Sequence, residues 1–147
     1  MKRLLFLFAI IAFTLSCSEK DPVNNEENEK GILEVNCFFT KEGNPNMLIP
    51  DAQSKVFIYF GYWSADFSGF SYLEEGKIIK RDSIVVPDQY AVIGEDGKVS
   101  IQLEQIDKRF AFVIESNYYK KTVLSCYSES QAQGKMGKMI CTVTFNP

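Results

Sequence analysis

The chain has 147 residues, 46% of them hydrophobic, which is enough apolar material for one well-packed domain but not for two. Its formal net charge of −3 makes it a poor partner for nucleic acid, because such binding needs an excess of basic side chains. Histidine is absent, which excludes serine and cysteine hydrolases of the usual histidine-dependent kind and most metallohydrolases. No phosphate-binding loop or dinucleotide fingerprint occurs. We therefore predict a protein with no catalytic residues, no bound metal and no cofactor.

The start of the chain has the pattern of a lipoprotein export signal. Two basic residues are followed by an apolar stretch, residues 4–15, and then by Ser16 and Cys17. A transmembrane helix would need about 20 apolar residues, and an ordinary secretory signal would end in an A-x-A-like site rather than in a cysteine. We predict that residues 1–16 are removed as a signal peptide and that Cys17 carries the lipid. The mature chain then has 14 basic and 19 acidic residues, a net charge of −5.

The residues around Cys17 resemble a particular group of lipoproteins. Thr14 occupies the position at which the usual lipobox has leucine, and Leu15 lies one place later. The run LSCSEKD, from Leu15 to Asp21, is similar to the looser lipobox and short charged tag of lipoproteins from Bacteroides-type Gram-negative bacteria. The resemblance implies a protein of the outer membrane, attached through its acyl chains and displayed at the cell surface. Two or more acyl chains suffice for stable attachment.

A polar segment, residues 17–30, separates this cysteine from the first predicted strand. Val23 is the only sizeable apolar side chain in it apart from Pro22. Such a segment cannot bury enough apolar surface to offset the entropy lost on ordering, so we predict a flexible tether. A cation site formed by its three glutamates is the weaker alternative, because nothing fixes their geometry. The remaining residues, 31–147, form the predicted domain.

From Gly31 onward, short apolar runs alternate with turn residues and indicate about seven strands. In the first run, Leu33 and Val35 share one face, and Glu34 lies on the other, which is the period of a half-buried strand. The prolines near residues 45 and 50 indicate loops. The strand-like runs are GILEVNCFFT, SKVFIYFGYW, SIVVPDQY, YAVIG, KVSIQLEQ, RFAFVIES, KTVLSCYS and KMICTVTF. We predict an all-β fold, a single antiparallel β-sandwich in which two sheets share one core.

One hairpin has a defined register in this prediction. Asp96-Gly97 is a typical two-residue turn, and it lies between two alternating runs. Pairing around it places Val92 opposite Ile101 and Tyr90 opposite Leu103, so that these apolar residues share the inner face. A calcium loop at the same turn is the weaker alternative, since the spaced ligands are missing.

The order of these segments resembles the transthyretin-like or carboxypeptidase-regulatory-like sandwich family. The matching segments are residues 33–39, 50–52, 55–60, 96–103 and 110–115. Residues 61–81 depart from the family pattern because they are longer and rich in aromatic side chains. The resemblance implies an adhesive, accessory or scaffold role more than a catalytic one, and an immunoglobulin-like sandwich remains the alternative.

Three cysteines follow Cys17 in a compartment that permits disulfides. A terminal hairpin centred between Gln133 and Gly134 would place Cys126 opposite Cys141, within reach of a disulfide. The alternative, which we prefer, is that these two cysteines and Cys37 are small buried thiols. Redox catalysis is not expected, because the chain has no C-x-x-C motif.

The strongest candidate for a binding surface is residues 57–72, in which eight of sixteen side chains are aromatic. Exposed rings beside polar groups stack on sugars or seat a partner protein. The preferred alternative is that the segment folds back and buries its rings against the sandwich. The candidate binding residues are Tyr62, Trp63, Phe67, Phe70 and Tyr72.

A shorter motif, Asp82-Ser83-Ile84, is similar to the O-glycosylation signal of exported proteins from Bacteroides-type bacteria and makes Ser83 a candidate modification site. Together these features favour a lipid-anchored binding or accessory module whose partner is a glycan or another envelope protein. The alternative is a structural or adhesive subunit of a fimbria-like assembly without a small-molecule ligand.

The lipid anchor can be tested directly. We expect the wild-type chain to incorporate a radiolabelled fatty acid and to fractionate with the outer membrane, because acylation of Cys17 is the proposed means of attachment. Cys17→Ala should lose the label and leave the membrane, while Cys37→Ala, the control, should retain both. A Cys17→Ala protein that stays membrane-bound would contradict the assignment.

Overall fold

β-Strands provide nearly all the regular structure in the computed structural model, which describes residues 31–80, 83–105, 109–127 and 138–147. Two four-stranded sheets, called sheet A and sheet B, face each other. A small three-stranded sheet packs against the outer face of sheet B. The described strands pair antiparallel except for one parallel pair, which includes an edge strand of sheet A. The predicted all-β class is therefore confirmed.

Eleven strands and one 3-10 turn, Ser64–Phe67, occur in the described residues. In chain order the strands are β1 (Ile32–Lys41), β2 (Asn44–Pro50), β3 (Lys55–Phe60), β4 (Ser71–Tyr72), β5 (Ile78–Lys80), β6 (Ser83–Val85), β7 (Gln89–Val92), β8 (Lys98–Gln102), β9 (Phe110–Glu115), β10 (Thr122–Tyr127) and β11 (Lys138–Phe145).

Sheet A is built around β1. Strand β11 pairs parallel with one edge of β1, and β8 and β2 pair antiparallel with successive parts of its other edge. Leu33, Val35 and Cys37 of β1 are completely buried, as the alternating pattern predicts. They pack against the inner face of sheet B, so that the two sheets share one hydrophobic core.

Sheet B has the strand order β10-β9-β3-β7. Val56 and Ile58 of β3 face the shared core, but Phe57 and Tyr59 on the opposite face are buried as well. A strand that is buried on both faces needs a second layer over the sheet. The segment between β3 and β7 provides this layer.

The covering layer contains the 3-10 turn and the three-stranded sheet, whose order is β4-β5-β6. Phe67 and Ile78 point into it and are 1% and 0% exposed. They form a second hydrophobic cluster with Tyr59 and with Ala111 of β9. Burying side chains of this size stabilises the fold by about 1.5–3 kcal/mol each, so the layer is an integral part of the core.

The predicted hairpin between residues 90 and 103 is wrong, although its turn is present. Gly94 donates its N–H to the Lys98 carbonyl at 2.9 Å, but β7 belongs to sheet B and β8 to sheet A. The chain changes sheet because Ile93 is completely buried and its N–H donates to the Ser54 carbonyl at 2.8 Å. Tyr90 therefore faces outward instead of pairing with the inner face, and it is 66% exposed.

The predicted loop near the two prolines is also wrong, because Asn44–Pro50 forms strand β2. Proline has no N–H to donate, and it is tolerated in strands at a sheet edge. Strand β2 pairs only with β1 among the described strands, so Pro45 and Pro50 occupy an edge of sheet A.

The proposed disulfide fails for a topological reason. Cys126 lies opposite Ala111 in sheet B, and Cys141 lies opposite Val35 in sheet A. Cys126 packs in the cluster outside sheet B, whereas Cys141 packs against the shared core, so sheet B separates the two thiols. Both are free, as is Cys37, whose pKa is raised to about 11 by burial.

A buried carboxylate, Asp51, ties the two sheets together at one end. The side chain is 1% exposed, and its two oxygens accept hydrogen bonds from the Ser116 hydroxyl at 2.5 Å and from the Tyr118 N–H at 3.1 Å. The backbone N–H of Asp51 donates to the Cys37 carbonyl at 3.0 Å. One residue therefore links β1, the β2–β3 loop and the β9–β10 turn.

We expect Asp51→Ala to lower the free energy of unfolding by about 2–4 kcal/mol, because the buried Ser116 hydroxyl and the Tyr118 N–H lose their acceptor. Asp96→Ala is the control, since exposed Asp96 accepts one bond from the Lys98 N–H at 3.1 Å, and it should cost about 1 kcal/mol or less. Urea denaturation measures both. Equal losses would show that the buried carboxylate does not link the sheets.

Candidate functional site

An open cleft of about 300 Å³ lies on the outer face of sheet B, at the margin of the covering layer. This volume is at the lower end of the range for small-molecule sites, about 300–1,000 Å³. The lining side chains come from β3, from the β4–β5 turn and from the segment around β7. They are Lys55, Phe57, Glu75, Pro87 and Tyr90.

Two aromatic rings give the cleft an apolar surface. Phe57 and Tyr90 are directly opposed on β3 and β7, and their ring centroids are 6.3 Å apart. Phe57 is 3% exposed, and Tyr90 is 66% exposed. A buried ring thus supports an accessible one, which keeps the Tyr90 ring available to stack on a flat ligand.

Charged groups of both signs surround these rings. Lys55 is half-buried and lies opposite Glu115 of β9 in the strand register. Glu75 is exposed and forms an ion pair with Lys77 at 3.6 Å. The cleft therefore offers both hydrogen-bond donors and acceptors next to an apolar surface, which is the usual composition of a site for a small polar ligand.

The turn that carries Glu75 is held in an unusual backbone conformation. Glu75 has φ 57° and Gly76 has φ 74°, both in the left-handed region. Two tyrosines fix this turn: the Gly76 N–H donates to the Tyr72 hydroxyl at 3.0 Å, and the Tyr59 hydroxyl donates to the Gly76 carbonyl. Backbone strain that is held by its surroundings is typical of sites with a defined shape.

The hydroxyl network extends to the edge of sheet B. The Tyr72 hydroxyl donates to Glu115 Oε2 at 2.5 Å. Burial raises the pKa of both Tyr59 and Tyr72, and the hydrogen bond to Glu115 raises that of Tyr72 further. Both phenols therefore remain neutral donors at physiological pH.

The predicted aromatic surface is largely a packing layer. Phe67 is its centre, with Tyr62 stacked on it at 5.2 Å between centroids and Phe70 edge-on at 5.7 Å. Trp63 is half-buried, and its backbone N–H donates to Asp66 Oδ2 at 2.7 Å. Tyr62, Phe67 and Phe70 thus pack in the cluster over sheet B, as in our preferred alternative, and Tyr72 packs there as well and supports the cleft turn.

Some of the remaining predicted site residues lie within the described residues, and others lie outside them. Ser83 is exposed at the first position of β6, where a modifying enzyme can reach it. Asp82 of the same motif, the signal and tether with Cys17, and the turn between Gln133 and Gly134 lie outside the described residues. Lipidation and O-glycosylation therefore stay predictions.

None of the five cleft residues is among the predicted binding residues, and only Phe57 lies in the predicted aromatic segment, residues 57–72. Residues 90–93 are all apolar, so both alternating sets are apolar, Tyr90 with Val92 and Ala91 with Ile93. Alternation alone therefore does not identify the outer face of β7. The Glu-Gly pair before β5 was an available signal for a tight turn.

Within the described ranges, no group of three His, Cys, Asp or Glu side chains is placed to hold a metal ion. The same ranges contain no helix long and apolar enough to cross a membrane. Comparison of the chain with protein-family models, curated proteins and solved structures gave no match. The site is therefore interpreted from its own geometry.

Gly76 gives a sharp test of the cleft turn. A Cβ at Gly76 would lie 2.6 Å from the Phe57 ring, whereas a Cβ at Gly69, which has nearly the same φ of 73°, would meet nothing within 4 Å. Gly76→Ala should therefore reduce the free energy of unfolding by about 1–3 kcal/mol more than Gly69→Ala. Both variants strain the backbone at a positive φ, but only the new methyl group at Gly76 crowds the Phe57 ring. Equal effects in urea denaturation would contradict the close contact between this turn and β3.

Proposed function

We propose that this chain is a lipid-anchored outer-membrane lipoprotein of the Bacteroides type that works without catalysis as a surface-displayed binding module. We further propose that its ligand is a neutral glycan unit bound in the cleft between Tyr90 and Glu75. The observation that carries this proposal is the accessible Tyr90 ring, which is backed by Phe57 and flanked by Lys55 and Glu75.

A sugar ring suits this arrangement for chemical reasons. One face of a pyranose is made of C–H groups and stacks on an aromatic ring, while its edge carries hydroxyls. Lys55 donates hydrogen bonds, and Glu75 accepts them, so both can engage hydroxyls beside the Tyr90 ring. The two opposite charges leave the cleft without a strong preference for an anion or a cation, which favours a neutral ligand.

The predicted location at the cell surface is consistent with such a ligand. Residues 17–30 would hold the domain away from the membrane at which Cys17 is anchored, so that the cleft faces the surrounding medium. The chain lacks histidine, and the cleft residues are suited to binding and positioning a ligand. The transthyretin-like resemblance, with its accessory roles, supports the same proposal.

A structural subunit of an envelope assembly is the second candidate, and an exposed edge strand would favour it. Strand β2 has Met47 and Leu48 exposed by 56% and 55%. However, Pro45 and Pro50 remove two N–H donors from this short strand, which is a common protection against edge-to-edge pairing. The cleft therefore supports the binding role better than β2 supports the assembly role.

The proposal predicts that the purified lipidated protein binds a subset of neutral oligosaccharides on a glycan array. Tyr90→Ala should weaken that binding about tenfold, because the stacking surface is lost, and Glu75→Gln should weaken it about threefold. Trp63→Ala is the control, since Trp63 lies in the covering layer, and it should leave the affinity unchanged in calorimetry. Array binding that depends on Trp63 and not on Tyr90, or no neutral glycan bound at all, would contradict the proposal.

A further inference from the structure

A second accessible aromatic ring lies outside the cleft lining, in the β9–β10 turn next to the end of β1. Tyr118 in the β9–β10 turn is 50% exposed, and its ring lies flat on Phe39 with the centroids 3.9 Å apart and the planes within 9°. Its N–H is fixed by Asp51, the buried carboxylate that links the sheets. The ring is therefore both accessible and rigidly supported.

One lysine lies over this ring and two more follow it in the same turn, in a chain that is acidic overall. The Lys41 ammonium is 6.0 Å from the Tyr118 centroid, and Lys120 and Lys121 follow in the same turn as Tyr118. All three are exposed, and none forms an ion pair with another described residue. Glu42, next to Lys41, offsets one of the charges. We call Lys41, Tyr118, Lys120 and Lys121 the lysine–tyrosine patch.

Neighbouring hydrogen bonds position two of these lysines. Lys120 Nζ donates to Asn117 Oδ1 at 3.0 Å, and Lys121 Nζ donates to the Asn146 carbonyl at 2.9 Å. Lys121 also lies 5.2 Å from the centroid of the Tyr119 ring. Ammonium groups that are already oriented lose less side-chain entropy when they bind an anion.

The turn behind the patch is also tied to β1. The Tyr119 hydroxyl donates to the Thr40 carbonyl at 2.6 Å. Desolvation raises the pKa of Tyr119, and Tyr118 and Glu42 raise it further, so this phenol stays protonated as the donor. The two parts of the patch, at Lys41 and at Lys120–Lys121, therefore keep a fixed relation to each other.

We propose that the lysine–tyrosine patch is a second binding site, which takes an acidic polysaccharide. The separated lysines match a ligand that carries several anionic groups, and the Tyr118 ring matches the apolar face of the sugar between them. A polysaccharide with about one charge per sugar is also less repelled by an acidic chain than a denser polyanion such as polyphosphate is. The patch lies at the opposite end of β1 from Gly31, the first described residue, about 30 Å along the strand.

The probes are chondroitin sulfate, uncharged dextran and inorganic polyphosphate, each titrated into the full lipidated protein in a non-ionic detergent. We expect chondroitin sulfate to bind at low salt and to weaken as salt rises, and dextran not to bind. Replacing Lys41, Lys120 and Lys121 together by glutamine should lower the affinity for chondroitin sulfate about tenfold. The matched control replaces Lys77, Lys98 and Lys138, which are also exposed and change the net charge by the same amount, and it should change the affinity less than about twofold.

Tyr118 distinguishes a sugar site from simple charge attraction. Tyr118→Leu keeps an apolar cover over Phe39 but removes the ring, and it should weaken chondroitin sulfate binding about fivefold without changing any binding of polyphosphate. Tyr118→Phe should bind like the wild type, and thermal unfolding checks that each variant is folded. The proposal is overturned if chondroitin sulfate does not bind, if the two triple variants behave alike, or if Tyr118→Leu leaves chondroitin sulfate binding intact.

Discussion

The packing of residues 61–80 and 83–85 against the outer face of sheet B is the constraint on which the rest of the structure depends. Without this layer, Phe57 and Tyr59 of β3 would face water on an otherwise buried strand. The layer is fixed by Phe67 at its centre and by the hydrogen bond from the Tyr59 hydroxyl to the turn at Gly76. This turn lies at the margin of the layer, and the part of sheet B next to it stays open and forms the cleft.

Asp51 has the corresponding role at the end of the sandwich. Its carboxylate holds the β9–β10 turn against β1, and this turn presents Tyr118. Each of the two accessible aromatic rings thus lies next to a buried phenylalanine, with Tyr118 stacked on Phe39 and Tyr90 tilted against Phe57. The two sites differ in charge, which is balanced around Tyr90 and positive around Tyr118, so one small domain can bind two chemically different ligands.

The sequence predicts the all-β class and the inner face of β1 well, because Leu33 and Val35 alternate with polar residues. It predicts strand pairing poorly. Local turns indicated that β7 pairs with β8 and that β10 pairs with β11. In the structure, the chain changes sheet at buried Ile93, between β7 and β8. Strand β11 pairs with β1 in sheet A, whereas β10 lies in sheet B. The candidate site was missed for the same reason, since the outward face of Tyr90 follows from this crossing and not from local alternation.

We expect the ligand to bind at the open margin of sheet B and not on the aromatic layer beside it. Amide chemical shifts of isotope-labelled protein, followed during titration with the neutral glycan that binds best, test this claim most directly. The amide shifts of Phe57, Gly76 and Tyr90 should change together and saturate, while those of Trp63 and Phe67 stay constant. Saturable changes centred on Trp63 and Phe67, with the cleft amides unmoved, would contradict it.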